Sequence, residues 1–148
     1  MANEEKTGFS DAEKAAMKDR AAEVKATKKR MTKAEKAAAA LAAVEEKIAS
    51  YEGTDKVLAQ ALHRIITSTA PELEPRTWYG MPAYALDGNI LCFIQDAAKF
   101  GARYLTLGFN DAAKLDDGTL WATSFAITSL DGQQEQMIAR LVSKSVGR

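Results

Sequence analysis

Thr77-Trp78-Tyr79-Gly80-Met81-Pro82-Ala83-Tyr84-Ala85-Leu86-Asp87-Gly88-Asn89-Ile90-Leu91-Cys92-Phe93-Ile94 is the stretch whose reading decides the fold. Asp87-Gly88 favours the positive φ angles of a type I′ turn, so residues 78–86 and 90–94 are predicted to pair as a β-hairpin. A two-residue loop sets Leu86 opposite Asn89, Tyr84 opposite Leu91, Ala83 opposite Cys92 and Met81 opposite Ile94. Cross-strand partners share a face, which places Tyr84, Leu91 and Phe93 on one side and Met81, Ile90, Cys92 and Ile94 on the other. Both faces are then apolar, so the pair is covered on both sides or lines a groove. Pro82 cannot donate to a ladder and predicts an edge or a bulge. Gly80 predicts a bend or a close approach. The aromatic residues around that kink are either a ligand wall or core, and the period alone favours core.

Working outward, further strands are expected at Arg103–Phe109 and Thr123–Thr128, with Phe125 and Ile127 on one face. Before the hairpin, Gly53-Thr54-Asp55 stops one helix and starts another. In that helix Val57, Leu58, Ala61, Leu62, Ile65 and Ile66 fall within half of the helical wheel, His63 and Gln60 point away, and Pro71 ends it. After the strands, Asp131 is suited to cap a last helix whose Met137, Ile138, Leu141 and Val142 share a face, with Gly147 at its C-terminus. Helix, several antiparallel strands, helix is an α+β fold, an antiparallel sheet with flanking helices.

Residues 1–50 differ in kind. They hold 15 alanines, 11 Lys/Arg and 9 Asp/Glu but no proline, whereas both tryptophans and all 4 tyrosines lie beyond them. Ser10 with Glu13, and Thr32 with Glu35, have capping-box spacing, so helices should begin near Asp11 and Lys33. Leu41, Val44, Ile48 and Tyr51 make one narrow stripe on the second helix, while Met17 and Val24 give the first too little apolar area to dock firmly. The composition shift predicts a helical, Ala/Lys/Glu-rich N-terminal extension over 1–52 and an α+β domain over 53–148.

Lys plus Arg and Asp plus Glu both number 20, a balance that removes the global electrostatic argument for a nucleic-acid or membrane-surface protein. One cysteine and one histidine exclude a disulfide within the chain, a cysteine zinc cage and a His-pair metal site. The first ten residues carry charges and no apolar core of a signal peptide, and no apolar run is long enough to span a bilayer, so a cytoplasmic location is expected.

Four groups are candidates for chemistry. Lys25, Lys28, Lys29, Arg30, Lys33 and Lys36 would follow a phosphate backbone if they shared one helix face. The Thr32 cap breaks that face, and no aromatic residue is interleaved to stack on bases, so nucleic acid is disfavoured as a partner. His63 has no acid or nucleophile one turn away and reads as a surface histidine. Cys92, between Leu91 and Phe93, reads as a small buried hydrophobe. Asp116-Asp117-Gly118 reads as a turn, although with Asp111 it is also the one cluster able to hold a hard cation.

Pro71-Glu72-Leu73, then Trp78-Tyr79-Gly80-Met81-Pro82-Ala83-Tyr84, Asp87-Gly88 and Lys99, resemble the YdhG-like family, a domain of unknown function (DUF1801), from about Thr54 to Val146. The N-terminal half resembles an extension on some members. The resemblance implies a compact α+β domain. Some relatives are described as frataxin-like iron chaperones, which implies Fe(II) as cargo, held here by Asp111, Asp116 and Asp117. The acidic helix ridge of that class is missing, since only Asp55 is acidic between Asp55 and Ala70, and Phe100-Gly101-Ala102-Arg103 stand where many relatives have a histidine. The reading that follows is a non-catalytic binding domain, monomeric or weakly dimeric. It takes a small molecule or protein partner in a groove lined by Trp78, Tyr79, Met81, Tyr84, Lys99 and Tyr104. No nucleophile–base spacing, phosphate-cradling glycine loop or paired-carboxylate motif points to an enzyme.

Overall fold

The computed structural model describes residues 12–18, 20–21 and 31–148, which form five helices and five strands. Helix α1 is described at residues 12–18 and 20–21. Then come α2 (Lys33–Ala49), α3 (Gly53–Thr69), β1 (Glu74–Trp78), β2 (Met81–Leu86), β3 (Asn89–Gln95), α4 (Ala97–Phe100), β4 (Leu105–Phe109), β5 (Ser124–Ile127) and α5 (Gly132–Ser145). The strands form one antiparallel meander in the order β1-β2-β3-β4-β5, so the fold is α+β. The chain divides into a unit ending at Lys36 and a unit from Ala37 to Arg148.

Local chemistry accounts for the helix ends. The Glu35 amide donates to Thr32 Oγ1 at 3.1 Å, and the Thr32 hydroxyl meets the Glu35 carboxylate at 3.1 Å, so α2 starts where the capping spacing places it. At α5 the Gln134 amide donates to Asp131 Oδ1 and the Asp131 amide to Gln134 Oε1, both at 2.9 Å, a full capping box. The Ser10 cap lies outside the described residues.

One face of the sheet carries the core. Tyr84, Leu91, Cys92, Ile94, Leu105, Leu107, Phe109 and Ile127 are buried there with Val44, Ile48 and Tyr51, with Leu58, Leu62, Ile65 and Ile66 of α3, and with Ile138 and Val142 of α5. The chain thus divides at Lys36/Ala37, inside α2, while the composition shift lies near 52/53. Val44, Ile48 and Tyr51 of the stripe belong to the same apolar core as the sheet, whereas Leu41 is half-buried outside it. Val57 of α3 is exposed, and Ala59 is buried.

The hairpin departs from the expected pairing in three ways. First, residues 78–86 are two strands: Tyr79 and Gly80 form a two-residue turn with φ of 50° and 74°, and Trp78 pairs with Met81. Gly80 is thus a turn residue, where the backbone bends as expected. Second, the Asp87–Gly88 turn forms with φ of 50° and 84° and sets Leu86 opposite Asn89, but a bulge then admits Leu91 as an extra residue. Beyond it Tyr84 pairs with Cys92, and Ala83 with Phe93. Leu91 and Cys92 both join the core with Tyr84, while Phe93 turns to the opposite face. Third, Pro82 is neither on an edge strand nor at the bulge. It lies at the start of central β2, just where the β2–β3 ladder ends at Ala83–Phe93, so its missing N–H is not called upon.

The second face of the sheet is covered by its own side chains. Phe93 lies over Gly108, where a Cβ would collide with the ring, and the Trp78 ring centroid is 5.3 Å from that of Phe93. Gly108→Ala should therefore force the Phe93 ring outward at a cost of about 1–3 kcal/mol. Urea unfolding with near-ultraviolet circular dichroism checks it. An unchanged midpoint and aromatic signal would mean that the ring does not pack on this glycine.

Candidate functional site

The Tyr79–Gly80 turn sits at one end of the sheet, and its backbone asks for Asn, Asp or Gly at both central positions. Tyrosine occupies the first of them instead, at φ 50° and 80 % exposed. A bulky residue in the left-handed region costs about 1–2 kcal/mol, and burial returns little to a ring this exposed. Its one ring partner is Trp78, edge-on at 5.0 Å, which continues into Phe93. Lys99 closes the site. Its Nζ donates to the Tyr79 carbonyl at 3.2 Å and lies 5.5 Å from the Phe100 ring centroid. A Cβ at Gly80 would lie 2.9 Å from that Nζ, so the glycine serves both the turn and the lysine. No carboxylate pairs with Lys99 among the described residues.

Asp96 and Asp55 hold Lys99 in place. Asp96 Oδ2 accepts from the Lys99 amide, and the Asp55 carboxylate accepts from the amides of Ala97 and Ala98, at 3.0–3.2 Å. Both aspartates are buried, with Tyr51 beside them. Burial, with the charges of Asp96 and Asp55, pushes the Tyr51 phenol well above its ordinary range. This cluster fixes the short α4 and is structural.

The six expected groove residues separate. Trp78, Tyr79, Met81 and Lys99 meet at the turn, with Met81 buried and paired with Trp78 across it. Tyr84 does not join them. It is fully buried on the helix-covered face, where its hydroxyl lies 2.7 Å from His63 Nδ1. Tyr104 lies elsewhere, under the Arg103 guanidinium, in a cleft of about 480 Å³ with Thr54, Asp55, Ala97 and Thr128. The sequence reading missed Phe93, Phe100 and Gly80 as parts of the site. The signal available was Tyr-Gly between two apolar runs, a weaker turn signal than Asp-Gly.

His63 is half-buried against Tyr84 and is not a surface histidine. Burial lowers its pKa below 6.5, and Glu45 opposes the shift. A histidine whose folded pKa is depressed contributes stability above its unfolded pKa, and that stability is lost as pH falls through the folded value. The urea midpoint should thus drop between about pH 7 and pH 5, and His63→Gln should flatten that drop. Equal pH slopes in the two proteins would remove His63 as the cause. Burial also raises the Tyr84 phenol above its ordinary range and pushes the Cys92 thiol up to about 12, which leaves Cys92 an inert core group.

Asp111, Asp116 and Asp117 are exposed, and no three His, Cys, Asp or Glu side chains converge on a metal-sized point among the described residues. Of the basic stretch, Lys25 to Arg30 lie outside the described residues. No helix among the described residues is long and apolar enough to cross a membrane. Fold and site together define an α+β domain with an aromatic and cationic tip. Searches of family models, curated proteins and solved structures find no match to the chain.

Proposed function

We propose that this chain is a non-catalytic binding domain that takes a planar, negatively charged ligand at the Tyr79–Lys99 end of its sheet. The observation that carries the reading is Tyr79 itself. It is a bulky ring held at φ 50° and 80 % exposed, which neither turn preference nor burial explains. An exposed ring face accepts a planar group, and an ammonium with no carboxylate partner among the described residues accepts an anion. Binding is favoured over catalysis because Tyr51, Tyr84 and Cys92 are held protonated by burial on the core side, not at the turn. The resemblance to the YdhG-like family belongs to the same reading, since Tyr79-Gly80-Met81-Pro82 builds this turn. Iron delivery has no converging donor set in its favour among the described residues.

Saturation-transfer NMR with aromatic carboxylates, mononucleotides and their uncharged analogues tests it. Charged planar compounds should show transfer that Lys99→Gln weakens. Transfer that is absent, or indifferent to charge and to Lys99, would contradict the proposal.

A further inference from the structure

The two edges of the sheet are not equivalent. Trp78–Met81 flanks a two-residue turn and is therefore a hydrogen-bonded pair, so Glu74 and Arg76 also bond inward to β2 while Pro75 and Thr77 point outward. Pro75 has no N–H to offer, and Glu74 and Arg76 put charge along the strand, which blunts this edge. At β5 the Phe109 amide donates to the Thr123 carbonyl at 2.7 Å, which sets the phase of the β4–β5 ladder. Thr123, Phe125 and Ile127 bond inward, and Ser124 and Ala126 turn their N–H and C=O groups outward. Both are exposed, and β5 has neither proline nor charge.

We infer that β5 pairs with β5 of a second copy in an antiparallel, twofold register centred on Ala126. Ala126 exchanges two hydrogen bonds with the partner's Ala126, and Phe125 lies opposite the partner's Ile127, a favoured aromatic–β-branched pair. The flank of the edge agrees. Phe125, Ile127, Leu130, Met137, Ile138 and Leu141 line an open groove of about 240 Å³ between β5 and α5, with no charged residue in its lining. Met137 is half exposed, and Leu120, three residues before Thr123, is 88 % exposed. A twofold contact therefore juxtaposes apolar surface without opposing like charges. The strand is only four residues long, so the contact lies at the low end of specific interfaces and the dimer is weak.

Sedimentation velocity on the full chain, from about 1 to about 500 µM, tests the inference across the range in which small interfaces dissociate. The protein should shift from monomer to dimer with concentration. Ala126→Pro, which removes only an outward N–H, should hold it monomeric with an unchanged thermal midpoint. Met137→Glu, at a half-exposed position, should weaken the dimer at least tenfold and serves if the proline variant does not fold. A chain that stays monomeric throughout overturns the inference and leaves the edge to an extended foreign peptide. A dimer that survives both variants overturns it as well.

Discussion

A fragment of residues 53–148 should fail to unfold cooperatively, whereas one of residues 31–148 should retain a sharp transition. The shorter fragment loses Val44, Ile48 and Tyr51, all buried among Leu58, Leu62 and the sheet. Truncating one large core side chain costs about 2–5 kcal/mol, and a domain has only about 5–15 kcal/mol in hand. Deleting three such side chains with the helix that carries two of them therefore removes most or all of that margin. The longer fragment keeps Thr32, Glu35 and the α2 cap. Calorimetric melting of the two fragments decides the point. A cooperative melt for 53–148 would mean that α2 contributes little and that the boundary near residue 52, drawn from composition, is the physical one.

Composition alone says little about how α2 packs. Alanine, lysine and glutamate dominate α2 because its exposed faces follow helix propensity. Only the narrow stripe at Val44 and Ile48 reports that it packs. The elements with a strong local signal were legible: the 3.6-residue period of α3, the Asp131 cap and the positive-φ turn at Asp87–Gly88. What was not legible depends on partners distant in sequence. The bulge at Leu91 is invisible to strict alternation, and a one-residue slip sends Phe93 to one face and Cys92 to the other. Tyr84 reads as a neighbour of Tyr79 along the chain. The turn between β1 and β2, together with the strand pleat, puts it on the core side, where a helix four turns long brings His63 to its hydroxyl. For the candidate site, Trp78, Tyr79 and Met81 fall together because they lie within four consecutive residues. Lys99 arrives through the short α4, whose caps at Asp96 and Asp55 come from two different segments.

Replacing Tyr79 with asparagine should abolish the proposed ligand binding while changing stability by no more than about 1.5 kcal/mol. Asparagine tolerates the left-handed conformation and is a preferred I′ residue, so the substitution relieves about 1–2 kcal/mol of backbone cost. Against this it gives up one edge-on contact with Trp78, worth about 0.5–1.5 kcal/mol. The net change in stability lies between a loss of about 0.5 and a gain of about 1.5 kcal/mol, a shift of a few degrees at most in the melting midpoint. Tyr84→Ala is the contrast. It empties a fully buried site and strips His63 of its hydroxyl partner, so it should cost about 3–5 kcal/mol. Gly108→Ala falls between them. It displaces Phe93, and through it Trp78, so it should reduce binding as a positioning change while Tyr79 and Lys99 remain in place.

The central claim is that Tyr79 is retained at the turn for recognition and not for folding. Its most direct test is a paired measurement on Tyr79→Asn: the thermal midpoint, and saturation transfer from the aromatic carboxylate or mononucleotide that the unmodified protein binds best. The expected result is a midpoint within a few degrees of the unmodified protein, or higher, together with loss of transfer. A midpoint lowered by many degrees, or transfer that persists at full strength, would contradict it and return Tyr79 to the role of a structural residue.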